Sequence, residues 1–308
     1  MTAPIPIRRQ LALPDLFTTE EAYAAGLTKR DLQRGEYRRL FRGTYVKAGA
    51  RPTYIEQLAF AIRVIDGAQF AAQYSAARVF GGVTPLASNL HLGTRIRRHS
   101  KRDGVFLHFY KNPPNLLRYR GIHLTSPGQT FLDLARSLEL VDLLVLGDSL
   151  VRREACSPTY LRNFVADVSA HGAQHAREAA ALVRGKVYSP NESRLRLLML
   201  SGGLPPPSIN HMVYDESTGR KRELDLALPE WKVAVEFDGR HHIERIDQWE
   251  RDILRREELE AMGWRFVLIT SSAMYTQPLR VLERITDTIV AAGGPRVVIR
   301  DDWQRHFG

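Results

Sequence analysis

WKVAVEFDGRHHIERIDQWERDILRREELEAMGWRFVLITS, residues 231–271, decides how the C-terminal part of the chain folds. The opening WKVAVEFDG is a nearly continuous apolar run that ends in two acids, Glu236 and Asp238, which predicts a buried strand with carboxylates at its end. RHHIERIDQWERDILRREELEAMGW then reads as an amphipathic helix, and RFVLITS as a further apolar strand. Upstream, INHMVYD and KRELDLALP flank a turn at Ser217-Thr218-Gly219 and predict a hairpin. A helix begins at Ser189-Pro190-Asn191-Glu192 and stops at Gly202-Gly203, and another runs from Pro278 to about Ala292. Helix, hairpin, strand, helix, strand, helix is the order of a compact α/β domain.

The acids carry the chemical information. Asp225 lies in the second hairpin strand, and Glu236 follows eleven residues later. Glu236 and Asp238 share a parity and point to one side of their strand. Carboxylates converging from neighbouring strands repel and resist desolvation, unless a hard cation such as Mg2+ or Mn2+ neutralises them. A metal held there polarises a phosphodiester and lowers the pKa of its bound water. The bland alternative is a set of exposed strand-end acids paired with the abundant arginines. Asp252 and Arg255, one helical turn apart, read as a pair near the site, as a phosphate contact, or as a plain i, i+3 ion pair.

Charge separates this domain from what precedes it. The 308 residues carry a formal net charge of +10. Residues 1–187 hold 27 Lys+Arg against 15 Asp+Glu, while residues 188–308 hold 17 against 19. The basic excess therefore lies wholly in the first part and points to nucleic acid as its partner. Clusters at 28–47 and 95–120 hold most of it. The single cysteine, Cys156, excludes an internal disulfide framework and a multi-cysteine zinc site. No apolar run approaches the ~20 residues that span a bilayer. MTAPIPIRRQ lacks an apolar signal core, so a cytoplasmic location without membrane contact is expected.

The first fifty residues predict a winged helix-turn-helix. Thr18 and Glu21 have capping-box spacing before a short helix that Gly26 closes. Thr28 and Asp31 cap a second helix, KRDLQR, that Gly35 closes, and EYRRLFRGTYVKAG reads as two strands around Arg42-Gly43. In such a fold the second helix enters the major groove, which would place Thr28, Lys29, Arg30 and Arg34 against DNA. Arg38, Arg39 and Arg42 would line the wing and grip phosphates. Between the termini, residues 54–80 predict one or two helices, then strands LHLGTRI, GVFLHFY and GIHLTS. Pro127 opens a helix predicted to run through Arg153. His91, His99, His108 and His123 lack ligand spacing and read as ordinary strand or surface histidines. The expected class is α+β and multidomain: a winged-helix module over 1–52, a mixed α/β region over 53–187 and the acid-bearing domain over 188–308.

Two segments resemble known families. Glu192-Ser-Arg-Leu-Arg, Glu223-Leu-Asp225-Leu-Ala, Val235-Glu236-Phe-Asp238-Gly239-Arg-His-His242, Trp249-Glu-Arg-Asp252 and Gly263-Trp264 resemble the domain-of-unknown-function 559 (DUF559) family. Its members look like very-short-patch-repair endonucleases of the PD-(D/E)XK superfamily. The resemblance covers roughly 188–290 and implies a restriction-endonuclease-like core that cuts DNA with Mg2+ or Mn2+. It implies Asp225 and Glu236 as metal ligands, with Glu192 assisting. The superfamily's lysine two positions after the strand glutamate is here Asp238. The very-short-patch enzymes also lack it, so His242, or His241, takes the proton-handling role in this reading. The competing reading is a nuclease fold that has lost activity and is retained in a non-catalytic, antitoxin-like transcriptional regulator. About the first fifty residues, by the glycine-ended helix and the wing from Gly35 through Tyr45, resemble the N-terminal domain of AbiEi-type antitoxins, and the resemblance fades through the middle region; it implies DNA binding and a neighbouring toxin as partner.

Overall fold

A computed structural model of the chain describes residues 13–97, 103–215, 219–238 and 246–308, with side chains of 246–252 outside that set. Near the N-terminus, strand β1 (Leu16–Thr18) enters helix α1 (Thr19–Ala24) through a capping box. The Glu21 N–H donates to Thr18 Oγ1 at 3.1 Å, and the Thr18 N–H donates to the Glu21 carboxylate at 2.7 Å. Strands β2 (Tyr37–Phe41) and β3 (Thr44–Lys47) form the expected hairpin around Arg42-Gly43, and β1 adds to it in the order β1-β3-β2.

The expected second helix is not formed. Residues 29–34 make only one 3-10 turn, Asp31–Gln33. The Asp31 carboxylate ties back onto the Thr28 N–H and hydroxyl, and within the segment only Leu32 is buried. One apolar anchor and six residues before Gly35 cannot repay helix nucleation.

Helix α2 (Tyr54–Val64), strand β4 (Phe70–Ala71) and helix α3 (Gln73–Val79) occupy the 54–80 segment. Strands β5 (Leu90–Thr94), β6 (Val105–Phe109), β7 (Leu116–Tyr119) and β8 (Ile122–Thr125) complete a sheet in the order β6-β5-β4-β8-β7. The β7–β8 hairpin turns on Arg120 (φ 46°) and Gly121 (φ 87°), the two consecutive positive φ angles of a type I′ turn. One core joins Phe41, Leu58, Leu92 and Leu124, so the basic hairpin and this sheet share their apolar packing.

The single helix expected from Pro127 onward is two helices, α4 (Pro127–Leu134) and α5 (Leu140–Arg152). Exposed Arg136, Ser137 and Glu139 interrupt the apolar periodicity between them. Leu134 also closes the first of two compact units, Met1–Leu134 and Ala135–Gly308. The expected divisions, at 52 from the winged-helix pattern and at 187 from composition, lie elsewhere than this boundary.

In the second unit, helices α6 (Pro158–Ala166), α7 (Ala173–Leu182) and α8 (Pro190–Ser201) follow α5. A buried polar network fastens α8 to α5. Asp148 accepts from Arg196 Nη2 at 2.7 Å, Ser193 Oγ at 2.8 Å and the Arg184 N–H at 2.8 Å. Arg196 Nη1 donates to the Leu182 carbonyl at 2.8 Å, and both charged side chains are 2% exposed. Strands β9 (Ser208–Asp215), β10 (Arg220–Leu228) and β11 (Val233–Asp238), helix α9 (Ile246–Ala261) and strand β12 (Arg265–Thr270) come next. The sheet order is β12-β11-β10-β9, parallel between β11 and β12 and antiparallel elsewhere. Helix α9 ends ahead of Gly263-Trp264. Gly263 (φ +88°) donates to the Glu260 carbonyl and Trp264 to the Leu259 carbonyl, a Schellman closure. Helices α10 (Ser271–Thr276), α11 (Pro278–Ala291) and α12 (Gln304–Phe307) end the chain.

Removing one partner of a buried ion pair leaves the other charge stranded. Asp148→Ala is expected to destabilise the chain by roughly 3–5 kcal/mol, whereas the double change Asp148→Leu with Arg196→Met costs clearly less. Urea-denaturation midpoints of the two variants check this, and equal losses would refute it.

Candidate active site

The site forms where β10 and β11 run side by side. Leu226 pairs with Val235 and Ala227 with Ala234, and one further step of this antiparallel register sets Asp225 opposite Glu236. Leu224 and Ala227 of β10 and Ala234 of β11 pack against Leu259 of α9 and Trp264. Glu236 shares its strand face with Ala234 and so lies under α9, and the neighbouring Phe237 N–H donates to the Asp225 carboxylate at 3.4 Å.

Helix α9 answers their charge. Arg255 precedes Leu259 by four residues, so the two share a helix face. The Arg255 guanidinium reaches Glu236 with both terminal nitrogens, Nη2 to Oε1 at 2.7 Å and Nη1 to Oε2 at 3.4 Å. Nη2 also donates to the Glu223 backbone carbonyl. One arginine thus spans β10 and β11 from above. Three residues on, Glu258 takes Arg220 and Arg222 of β10 at 2.8 Å and 2.5 Å, fixing the helix over the sheet.

Glu192, on the first turn of α8, is the third carboxylate. It is 6% exposed, and its Oε2 accepts the Tyr188 N–H at 2.9 Å. Burial foremost raises its carboxyl above the ordinary range. Asp225 shows how close the three acids are. Burial, then the charges of Glu192 and Glu236, push its pKa up to about 6, against partial relief from the Phe237 N–H and Arg255. The structure therefore brings Glu192, Asp225 and Glu236 within electrostatic reach of one another. Asp238 sits two residues further along β11, half-buried, with Thr270 of β12 as its register partner. His241 and His242 lie outside the described residues, as does the Asp252 side chain on which the expected pairing with Arg255 rests.

Among the described residues, no group of three or more His, Cys, Asp or Glu side chains is arranged to hold a metal ion. The Asp225–Glu236 donor set is nevertheless oxygen-only and electron-rich, the chemistry a hard divalent cation takes. What meets Glu236 in this structure is Arg255.

Lys29, Arg30, Arg34, Arg38, Arg39 and Arg42 are exposed, with Arg34 3.2 Å from Asp31. Thr28 spends its hydroxyl on Asp31, capping the 3-10 turn. His91 and His108 stack with Nδ1 and Nε2 2.9 Å apart, and burial lowers both to about 4, so the pair is neutral. Burial pushes the Cys156 thiol up to about 12, which leaves it without thiolate reactivity. No helix of the described residues is long and apolar enough to cross a membrane.

The sequence reading took Arg255 only beside Asp252, as a pair near the site, a phosphate contact or a plain ion pair, and missed its contact with Glu236. The available signal was its i, i+4 relation to Leu259, an apolar position aimed at the sheet.

Residues 212–289 match the family model REase_MTES_1575, and the C-terminal segment is accordingly restriction-endonuclease-like. The match includes Asp225, Glu236 and Arg255. Two Mycobacterium tuberculosis proteins, "Uncharacterized protein MT2308" of strain CDC 1551 / Oshkosh and "Uncharacterized protein Rv2248" of strain ATCC 25618 / H37Rv, are each 27% identical over 251 residues. The alignments cover 80% of this chain and 90% of each relative, so the similarity extends well beyond the nuclease-like segment.

The raised Asp225 carboxyl has a sign. The native state keeps a proton that the unfolded chain releases near 3.8, so the stability from this group is present below about pH 4 and lost as pH rises through about 6. Asp225→Asn is expected to be more stable than the wild type at pH 8, by up to about 3 kcal/mol, and nearly equal to it at pH 4. Urea midpoints over that range measure the difference. A variant no more stable at pH 8 would mean that the Asp225 carboxyl is not raised in the folded chain.

Proposed function

We propose that the C-terminal unit is a divalent-metal-dependent DNA endonuclease. The observation that carries this reading is the opposed Asp225–Glu236 pair, crowded by Glu192, inside a restriction-endonuclease-like segment. Asp225 and Glu236 would hold the cation, Mg2+ or Mn2+. When bound, it supplies electrophilic activation of the phosphodiester and a water of lowered pKa. Glu192 adds negative potential from α8, where the Tyr188 N–H fixes the orientation of its carboxylate. His242 is the candidate proton carrier, and Asp238 stands where the superfamily places a lysine. The exposed arginines of the β2–β3 hairpin are the DNA-gripping surface in this reading, through phosphate contacts without base selection.

A second reading has a specific observation behind it. Arg255 already meets Glu236 with a fork of hydrogen bonds, and the superfamily's lysine position holds an acid. Both fit a non-catalytic DNA-binding regulator that keeps the fold without the reaction.

Full-length protein incubated with plasmid and short duplexes, with Mg2+ or Mn2+, separates the two. The endonuclease reading expects cleavage that weakens below about pH 6, as Asp225 gains its proton, and falls by roughly 100-fold or more in Glu236→Ala. Wild-type protein that binds DNA but neither cleaves it nor takes up Mn2+ would leave the regulator. Replacing Arg38, Arg39 and Arg42 by alanine is expected to weaken DNA binding and to flatten its salt dependence by about 0.9 per lost phosphate contact. An unchanged salt slope would remove the hairpin from the interface.

A further inference from the structure

The proposed chemistry needs Glu236 for a metal ion, yet Glu236 is already engaged. Both of its carboxylate oxygens face Arg255, at 2.7 Å and 3.4 Å, and Glu236 itself is 9% exposed. A guanidinium fork on both oxygens fills the lone pairs that face it and sets a positive charge beside the carboxylate, so a divalent cation must compete with Arg255 for Glu236. Arg255 has a second anchor that does not compete: its Nη2 donates to the Glu223 carbonyl on the neighbouring strand. It is also one of the two groups that lower the Asp225 pKa. Its charge therefore serves both members of the opposed pair, while its fork grips only Glu236.

We propose that Arg255 is a built-in counter-cation that keeps the carboxylate pair closed, and that a divalent metal enters by displacing its fork from Glu236. This rests on the metal-dependent reading above and adds its regulation. Without metal, Arg255 keeps a buried carboxylate from standing unpaired. With metal, Glu236 changes partner and the guanidinium withdraws toward the Glu223 carbonyl at the edge of the site. The substrate phosphodiester would arrive beside it, and a guanidinium is well suited to hold phosphate. A cationic group then stands near the reacting phosphate although residue 238 is an acid.

The test is Mn2+ affinity by isothermal titration, together with metal-free thermal stability, for full-length wild type, Arg255→Gln and Arg255→Lys. Arg255→Gln keeps an amide donor but no charge. It is expected to melt lower than wild type without metal, yet to bind Mn2+ about tenfold or more tightly, because the competitor is gone. Arg255→Lys, a point charge without the fork, should fall between them and serves as the folded control if Arg255→Gln is too unstable to titrate. Wild type that binds Mn2+ as tightly as both variants would overturn the displacement while leaving the metal-dependent reading in place. Absence of Mn2+ binding in all three proteins, with Glu236→Gln no different, would overturn both.

Discussion

Setting Asp225 opposite Glu236 across β10 and β11 places two carboxylates on one face of a sheet, at a depth where water screens them poorly, and the surroundings are organised around that repulsion. Asp225, raised by burial foremost and then by the charges of Glu192 and Glu236, holds its proton up to about pH 6. Glu236 responds by taking the Arg255 fork. Arg255 is available because α9 lies over the sheet on Leu259, held at a Schellman closure on one end and by Glu258 against Arg220 and Arg222 along its length. The pairing register of two strands thus dictates what the helix above them must carry.

Helix α8 performs two tasks on adjacent turns. Glu192, at its start, faces the acidic pair, whereas Ser193 and Arg196 turn inward to Asp148 of α5. The second task secures the first, because the buried network fixes the helix that presents Glu192. It also explains why the helices between 140 and 182 belong with the C-terminal sheet. Arg196 and Asp148 are each covered only when α5, α7 and α8 pack together, so a cut at 187 would expose a buried pair. Composition changes at 187, but packing does not.

The acid-bearing domain was legible because its signals are local and agree with one another. A continuous apolar strand, a helix ended by Gly263-Trp264 and a second apolar strand follow from residues close in sequence. The β2–β3 hairpin was legible for the same reason, through Arg42-Gly43. The helix expected over 29–34 failed because capping residues mark where a helix can start, without showing whether enough buried surface follows to extend it. The long helix expected from Pro127 failed where three exposed residues, Arg136, Ser137 and Glu139, interrupted the apolar stripe without a glycine or proline to announce the break. Arg255 was noticed for its neighbour Asp252, since i, i+3 spacing can be read along a helix, whereas a partner nineteen residues away on another element cannot.

The sequence by itself determined which residues are acidic, which strand each sits on, and that the basic excess belongs to the first 187 residues, because alternation and charge are properties of short windows. Only the tertiary structure decided that Asp225 and Glu236 face one another, that Glu192 joins them from a separate helix, and that an arginine stands between Glu236 and any incoming cation. Those relations depend on strand register and on the rotation of α9 about its axis. Both are set by packing across the sheet, and neither is written in any one segment.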